Sequence, residues 1–149
     1  MRAKYLLVSV GTRSCAFALT DVSETMRALR TQPLPDAPAF IAGVATVRGE
    51  LTVVVSAPVL LSEAGAESRR MVVLKAGPRK FGITVSEVAG IVELDDASGE
   101  DLAPLLPSLT SDYVEKLLKL ESSFATVLNG ARMVPESVWQ SLRERQTHG

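Results

Sequence analysis

The sequence predicts a mainly β fold, an antiparallel barrel or sandwich resolved into two similar small barrels, and three observations carry that prediction. Short apolar runs rich in β-branched residues recur along most of the 149 residues. The gaps between them hold turn residues and are too short for a parallel crossover, which takes a dozen residues or more. One strand-like pattern occurs twice.

The first runs, KYLLVSV (4–10) and CAFAL (15–19), flank GTRS, a hairpin-sized gap. VATV (44–47) and LTVVV (51–55) flank Arg48-Gly49-Glu50, where Gly49 can take the positive φ of a tight hairpin and Arg48 is exposed by geometry. MVVLKA (71–76) and KFGITV (80–85) form the next pair across AGPR, followed by VAGIVEL (88–94) and FATVL (124–128). The repeat lies in CAFALTDVSETM (15–26) and RKFGITVSEVAGIV (79–92). Each places an aromatic, a small residue and an aliphatic in a strand, with a valine and a glutamate just after it. Between the halves, LLSEAGAESRR (60–70) reads as a linker after a bend at Pro58. Residues 93–108 read as an acidic, then proline-bearing surface loop. Two helices are expected: TSDYVEKLLKLES (110–122), with Tyr113, Leu117, Leu118 and Leu120 near helical spacing, and PESVWQSLRERQ (135–146). In the second, Pro135 suits the first turn and Val138, Trp139 and Leu142 share a face that can dock on the barrels.

Composition narrows the function. With 46% hydrophobic residues and a mean hydropathy of +0.19, the chain has the makeup of a folded domain, either one or two small ones sharing a core. Sixteen basic and seventeen acidic side chains leave a net charge of −1, which gives no overall attraction to nucleic acid or to an anionic bilayer. Cys15 has no partner for an internal disulfide, and the apolar block near the N-terminus is too short for a signal peptide or a membrane span. A cytoplasmic, soluble protein is expected.

Little in the chain suggests catalysis. The single histidine, His148, is penultimate, a poor place for a general base or metal ligand. One cysteine and one histidine cannot supply a zinc site, and no phosphate-binding glycine motif occurs. Glu93, Asp95 and Asp96 read as a solvated acidic loop, and Cys15 as a small core residue. No cofactor or metal is expected.

SETMRALR, FIAGVATVRGELTVVVS, MVVLKAGPRKFGITVSEVAGIVEL and DYVEKLLKLESSFATVLNGARMV run in order over nearly the whole chain. Together, and most specifically through GVxxxRG followed by a β run and FGIxV, they resemble the CheW family of bacterial chemotaxis coupling proteins. The resemblance implies one CheW-like domain of two intertwined SH3-like five-stranded barrels, at about 15–62 and 70–130, with short helices. An N-terminal strand and a C-terminal helix complete the shared core. It implies no enzymatic activity. It implies instead an adaptor between the cytoplasmic tips of chemoreceptors and the regulatory domain of a CheA-type histidine kinase, held at the inner membrane face through receptor arrays.

Carried over by position, the resemblance places a receptor-binding groove at Val22, Glu24, Arg48, Met71, Val88 and Ile91, although the aliphatic residues, Met71 and Val88 above all, also suit core packing and Glu24 a solvated strand end. It places kinase contacts at Phe40, Ile41, Gly43 and Val44. Arg48 can bury its stem while its guanidinium pairs bidentately with a partner's carboxylate, or be a solvated turn residue, and Gly43 can admit another backbone or be an ordinary loop glycine. The chain departs from the family signature at Thr46, Val53 and Ser56, where asparagine, proline and aspartate are usual. Two readings of other classes stand beside this one. A stand-alone SH3-like domain binding peptide or nucleic acid is disfavoured for nucleic acid by the 5% aromatic content. An enzyme working through Cys15 or the acidic loop is the other.

Overall fold

The computed structural model describes residues 2–63, 65–95, 99–100 and 113–148. Its elements are β1 (Arg2–Val10), β2 (Arg13–Ala18), β3 (Val22–Arg27), β4 (Ile41–Val47), β5 (Glu50–Ser56), α1 (Ala57–Leu60), β6 (Arg70–Ala76), β7 (Arg79–Val85), β8 (Glu87–Asp95), β9 (Gly99–Glu100), β10 (Val114–Lys119), β11 (Phe124–Leu128) and α2 (Glu136–His148). The strands form two sheets, ordered β8-β1-β2-β11-β10-β9 and β3-β6-β7-β5-β4. The first has six strands rather than five because the two-residue β9 adds an edge.

Side chains bury on both faces of each sheet, which is why the runs read as continuous rather than alternating. In β5, Val53 and Val55 join the large central cluster between the sheets, with Leu6, Val8, Phe17, Phe81 and Ile83. Val54 points the other way, into a private cluster with Ala45, Val47, Met71 and Val73. The other sheet has its own private cluster of Tyr5, Ala16, Leu118, Ala125 and Val127. Each sheet thus curls around a small core of its own and shares a larger one.

The repeat is real and its register differs from the visible aromatic match. Hairpins β1–β2 and β6–β7 close at Val10↔Arg13 and Ala76↔Arg79, turning on Gly11 (φ 61) and Gly77 (φ 64). From there β3 leaves to pair with β6, and β8 leaves to pair with β1. Hairpins β4–β5 and β10–β11 follow, and each returns a strand in parallel, β5 beside β7 and β11 beside β2. Val54↔Gly82 and Val127↔Ala16 are equivalent pairs, so Gly82 corresponds to Ala16, and Phe81 to Cys15 rather than to Phe17. Register shifts recur at matching places, between Val22 and Glu24 and opposite Val88 and Gly90 in one case, between Ile41 and Gly43 and between Val114 and Lys116 in the other.

Three expectations need correction. The two parallel pairs depart from the all-antiparallel reading, because they join strands that are not consecutive, with β6 lying between β5 and β7 and eight strands between β2 and β11, and short gaps between neighbours do not constrain such pairs. The valine and glutamate expected just after the first repeat strand, Val22 and Glu24, lie in a strand of their own, β3. The helix expected at 110–122 is strand β10 in its described part, with 110–112 outside the described residues. Leucine, lysine and glutamate favour helix intrinsically. Here the ladder to β11 overrides that preference and buries Leu117 and Leu118, neighbours that point to opposite faces. The C-terminal helix forms as expected and starts at Glu136, immediately after Pro135; Val138, Trp139 and Leu142 enter the central cluster.

Candidate functional site

Val47↔Glu50 closes a two-residue turn in which Arg48 (φ 50) and Gly49 (φ 81) both lie in the left-handed region. Such a turn matches the twist of a hairpin, and glycine suits it; arginine there is uncommon because its Cβ crowds the backbone. The turn throws the Arg48 side chain outward, 77% exposed. Its guanidinium donates two hydrogen bonds to Glu24, Nε to Oε2 at 2.7 Å and Nη2 to Oε1 at 2.8 Å. Glu24 sits on β3 and Arg48 at the end of β4, the two edges of one sheet. The pair therefore bridges the curl where no ladder joins the edges. The bidentate carboxylate expected from a partner is thus the chain's own, 24 positions away in sequence.

The Arg48 hydrogen bonds hold the Glu24 carboxyl below the usual glutamate range, with the charges of Arg48 and Lys80 adding to the effect, and Glu24 raises Arg48 in turn. A depressed carboxylate stabilises the fold fully above its unfolded value. This clasp is therefore intact at neutral pH and releases as pH falls through the lowered glutamate value.

The other proposed groove residues are placed differently from one another. Val22 and Val88 are structural equivalents, each half-buried against the central cluster. Ile91 is 59% exposed on the edge strand β8, a large apolar side chain in water. Met71 offers no surface: it is fully buried in the private cluster, with its Sδ over Gly82, where a Cβ would stand only 2.6 Å from it. Volume missing at Gly82 is filled by Met71.

Of the proposed kinase contacts, Phe40 is half-buried and Ile41 and Val44 are buried, all against the central cluster. Gly43 has φ 141, and a Cβ there would overlap the Gln32 carbonyl. The backbone it admits is its own chain's: Gln32 and Val44 exchange N–H···O bonds of 2.9 and 2.8 Å, tying the 28–40 loop to β4. Phe40 also anchors this segment, its carbonyl accepting from Ser56 N at 2.7 Å.

The sequence profile of the CheW-like domain matches residues 4–138. The chain belongs to the CheW-like domain family. Among solved structures, it is similar to the crystal structure of the scaffolding protein TtCheW from Thermoanaerobacter tengcongensis, with a TM-score of 0.75 and 20% identity over 87% of this chain and 86% of that one. No curated protein sequence matches the chain.

The signature departures of this CheW-like chain have local explanations. Ser56 caps α1, its Oγ accepting from Val59 N at 3.3 Å, a task serine performs about as well as aspartate. Val53 is fully buried in β5 opposite Val44, where a proline would remove a backbone donor. Thr46 is an exposed strand residue paired with Leu51. Cys15 is buried in the central cluster, and burial pushes its thiol up to about 12. Thiol labelling at pH 8 is expected to leave the native protein unmodified and to go to completion in denaturant; rapid native labelling would show an accessible thiolate. Asp96 lies outside the described residues, as do the side chains of Asp95 and His148. Among the described residues no cluster of three or more His, Cys, Asp or Glu side chains has metal-binding geometry, and no helix is long and apolar enough to cross a membrane.

Sequence reasoning missed one constellation. Arg79 binds Glu136 of α2 through two hydrogen bonds of 2.9 and 3.0 Å, and its guanidinium lies 5.0 Å from the centre of the Trp139 ring. Trp139 in turn meets Phe81 edge to face at 6.4 Å. The available signal was Arg79 ending one hairpin and an acid one turn before a tryptophan. Nothing in their spacing joins them.

Proposed function

We propose that this CheW-like protein is a non-enzymatic scaffold that couples chemoreceptor tips to a CheA-type histidine kinase, working in the cytoplasm at receptor arrays. The observation that carries the reading is the Glu24–Arg48 pair: a bidentate charged group on a rigid hairpin tip, exposed to a partner. Val22, Val88 and Ile91 supply the apolar part of the receptor groove. A helix of the receptor hairpin would lay an apolar stripe along them with polar groups toward Arg48. Met71 serves this surface from inside, as core packing beneath the sheet. On the kinase side, Phe40 is the contact residue, while Gly43, Ile41 and Val44 fix the backbone that presents it. The altered residues Thr46, Val53 and Ser56 leave that framework whole, so partner choice rests on the exposed side chains.

Capture of purified receptor tips and kinase regulatory domain from the same cell tests the reading. Arg48→Ala is expected to weaken receptor capture about thirtyfold or more, the effect of truncating an interface hot spot, and to leave kinase capture intact. Glu24→Gln keeps the shape but weakens the clasp and is expected to give a smaller loss. Capture of neither partner by the native protein would overturn the coupling role.

A further inference from the structure

Beside α2 lies a pocket of about 440 Å³, with Leu51, Pro78 and Trp139 among its walls and Arg79, Lys80 and Arg143 at its polar side. Three cations and one acid, Glu50, line it. Outside the lining, Glu136 compensates two of these cations and is divided between Arg79 at 2.9 Å and Arg143 at 3.5 Å. Lys80 has no ion pair or side-chain hydrogen bond among the described residues. Lys80 is thus the cation left over at the pocket among the described residues, beside a floor made by an indole ring under a guanidinium.

The pocket is also continuous with the Arg48 turn. Glu50 follows that turn directly, and the charge of Lys80 reaches Glu24. Docking of α2 holds the cations in place: Trp139 and Leu142 are anchored in the central cluster, so the arginines beside them sit on a fixed base.

We propose that this pocket takes a carboxylate side chain, flanked by an aliphatic one, from an acidic partner segment, with Lys80 and the N–H groups of Arg79 that Glu136 does not take as its donors. The chemistry follows from the cation surplus and the apolar walls. The identity of the segment, the receptor hairpin that meets Arg48, rests on the coupling reading above.

The test is a nuclear magnetic resonance titration of the full chain, followed at the indole N–H of Trp139, the only tryptophan. The probe is a capped tetrapeptide with two central glutamates between leucines, set against its glutamine counterpart. Saturable shifts are expected with the glutamate peptide alone, diminishing with added salt. Lys80→Glu, an exposed position, is expected to weaken binding about fivefold or more, with Lys80→Gln as a milder second variant. Absence of a saturable shift, an equal response to both peptides, or unchanged affinity in both variants would overturn the proposal. No receptor enters this titration, so its failure removes the pocket and leaves the Arg48 capture result standing. Peptide binding without receptor capture would support the pocket and remove the coupling reading.

Discussion

Trp139→Ala is expected to lower the folding free energy by about 4 kcal/mol, the usual cost of emptying a large aromatic site. The ring is 7% exposed, packs in the central cluster and meets both Phe81 and Arg79. Its removal leaves a hole where α2, the β6–β7 hairpin and β5 converge, and the backbone of a sheet cannot collapse into it. Urea denaturation of the two proteins provides the measurement. Arg79→Ala should be far milder, since the exposed ion pair it deletes is solvent-screened. A loss below about 1 kcal/mol for Trp139→Ala would mean that α2 is not part of the core.

Gly43→Ala is expected to cost about 3 kcal/mol, from left-handed backbone strain together with the two Gln32–Val44 hydrogen bonds. The obstacle is backbone, the Gln32 carbonyl, so it cannot swing aside as a side chain would. Gly82→Ala provides the contrast: its neighbour is the flexible Met71 thioether, and about 1 kcal/mol is expected. If Gly43→Ala also abolishes kinase capture, the loss reflects a displaced 28–40 loop. Amide exchange at Gln32 and Val44 separates that cause from a lost contact, because a pure contact effect leaves their protection unchanged. Wild-type stability and exchange in Gly43→Ala would show that the loop approaches β4 less closely than described.

The framework was legible because most strands are apolar on both faces. Val53-Val54-Val55 announces itself without any alternation to interpret. β10 was not legible, since Glu115, Lys116, Leu117 and Leu118 carry helical preference and only the distant geometry of β11 and β2 makes them a strand. At the candidate site, exposure of Arg48 followed from its turn. Its union with Glu24 depends on how far the sheet curls, a quantity no local pattern encodes. Gly43 was recognisable as a point of close approach, but its visitor, Gln32, belongs to a loop without periodicity. Met71 shows the reverse problem. Family position put its side chain in the groove while its residue type suited the core, and the small volume of Gly82 draws it inward.

The exchange of strands between the two halves has a consequence for synthesis on the ribosome. The sheet holding β3, β4 and β5 stays incomplete until β6 and β7 have emerged, and β1 and β2 wait longer still, for β8 and β11. Roughly the first half of the nascent polypeptide therefore leaves the exit tunnel with unpaired edges and exposed apolar surface, the features that make a folding chain aggregation-prone. Fusing a stalled or truncated N-terminal half to a reporter should yield aggregates, while the entire chain behaves as one cooperative unit.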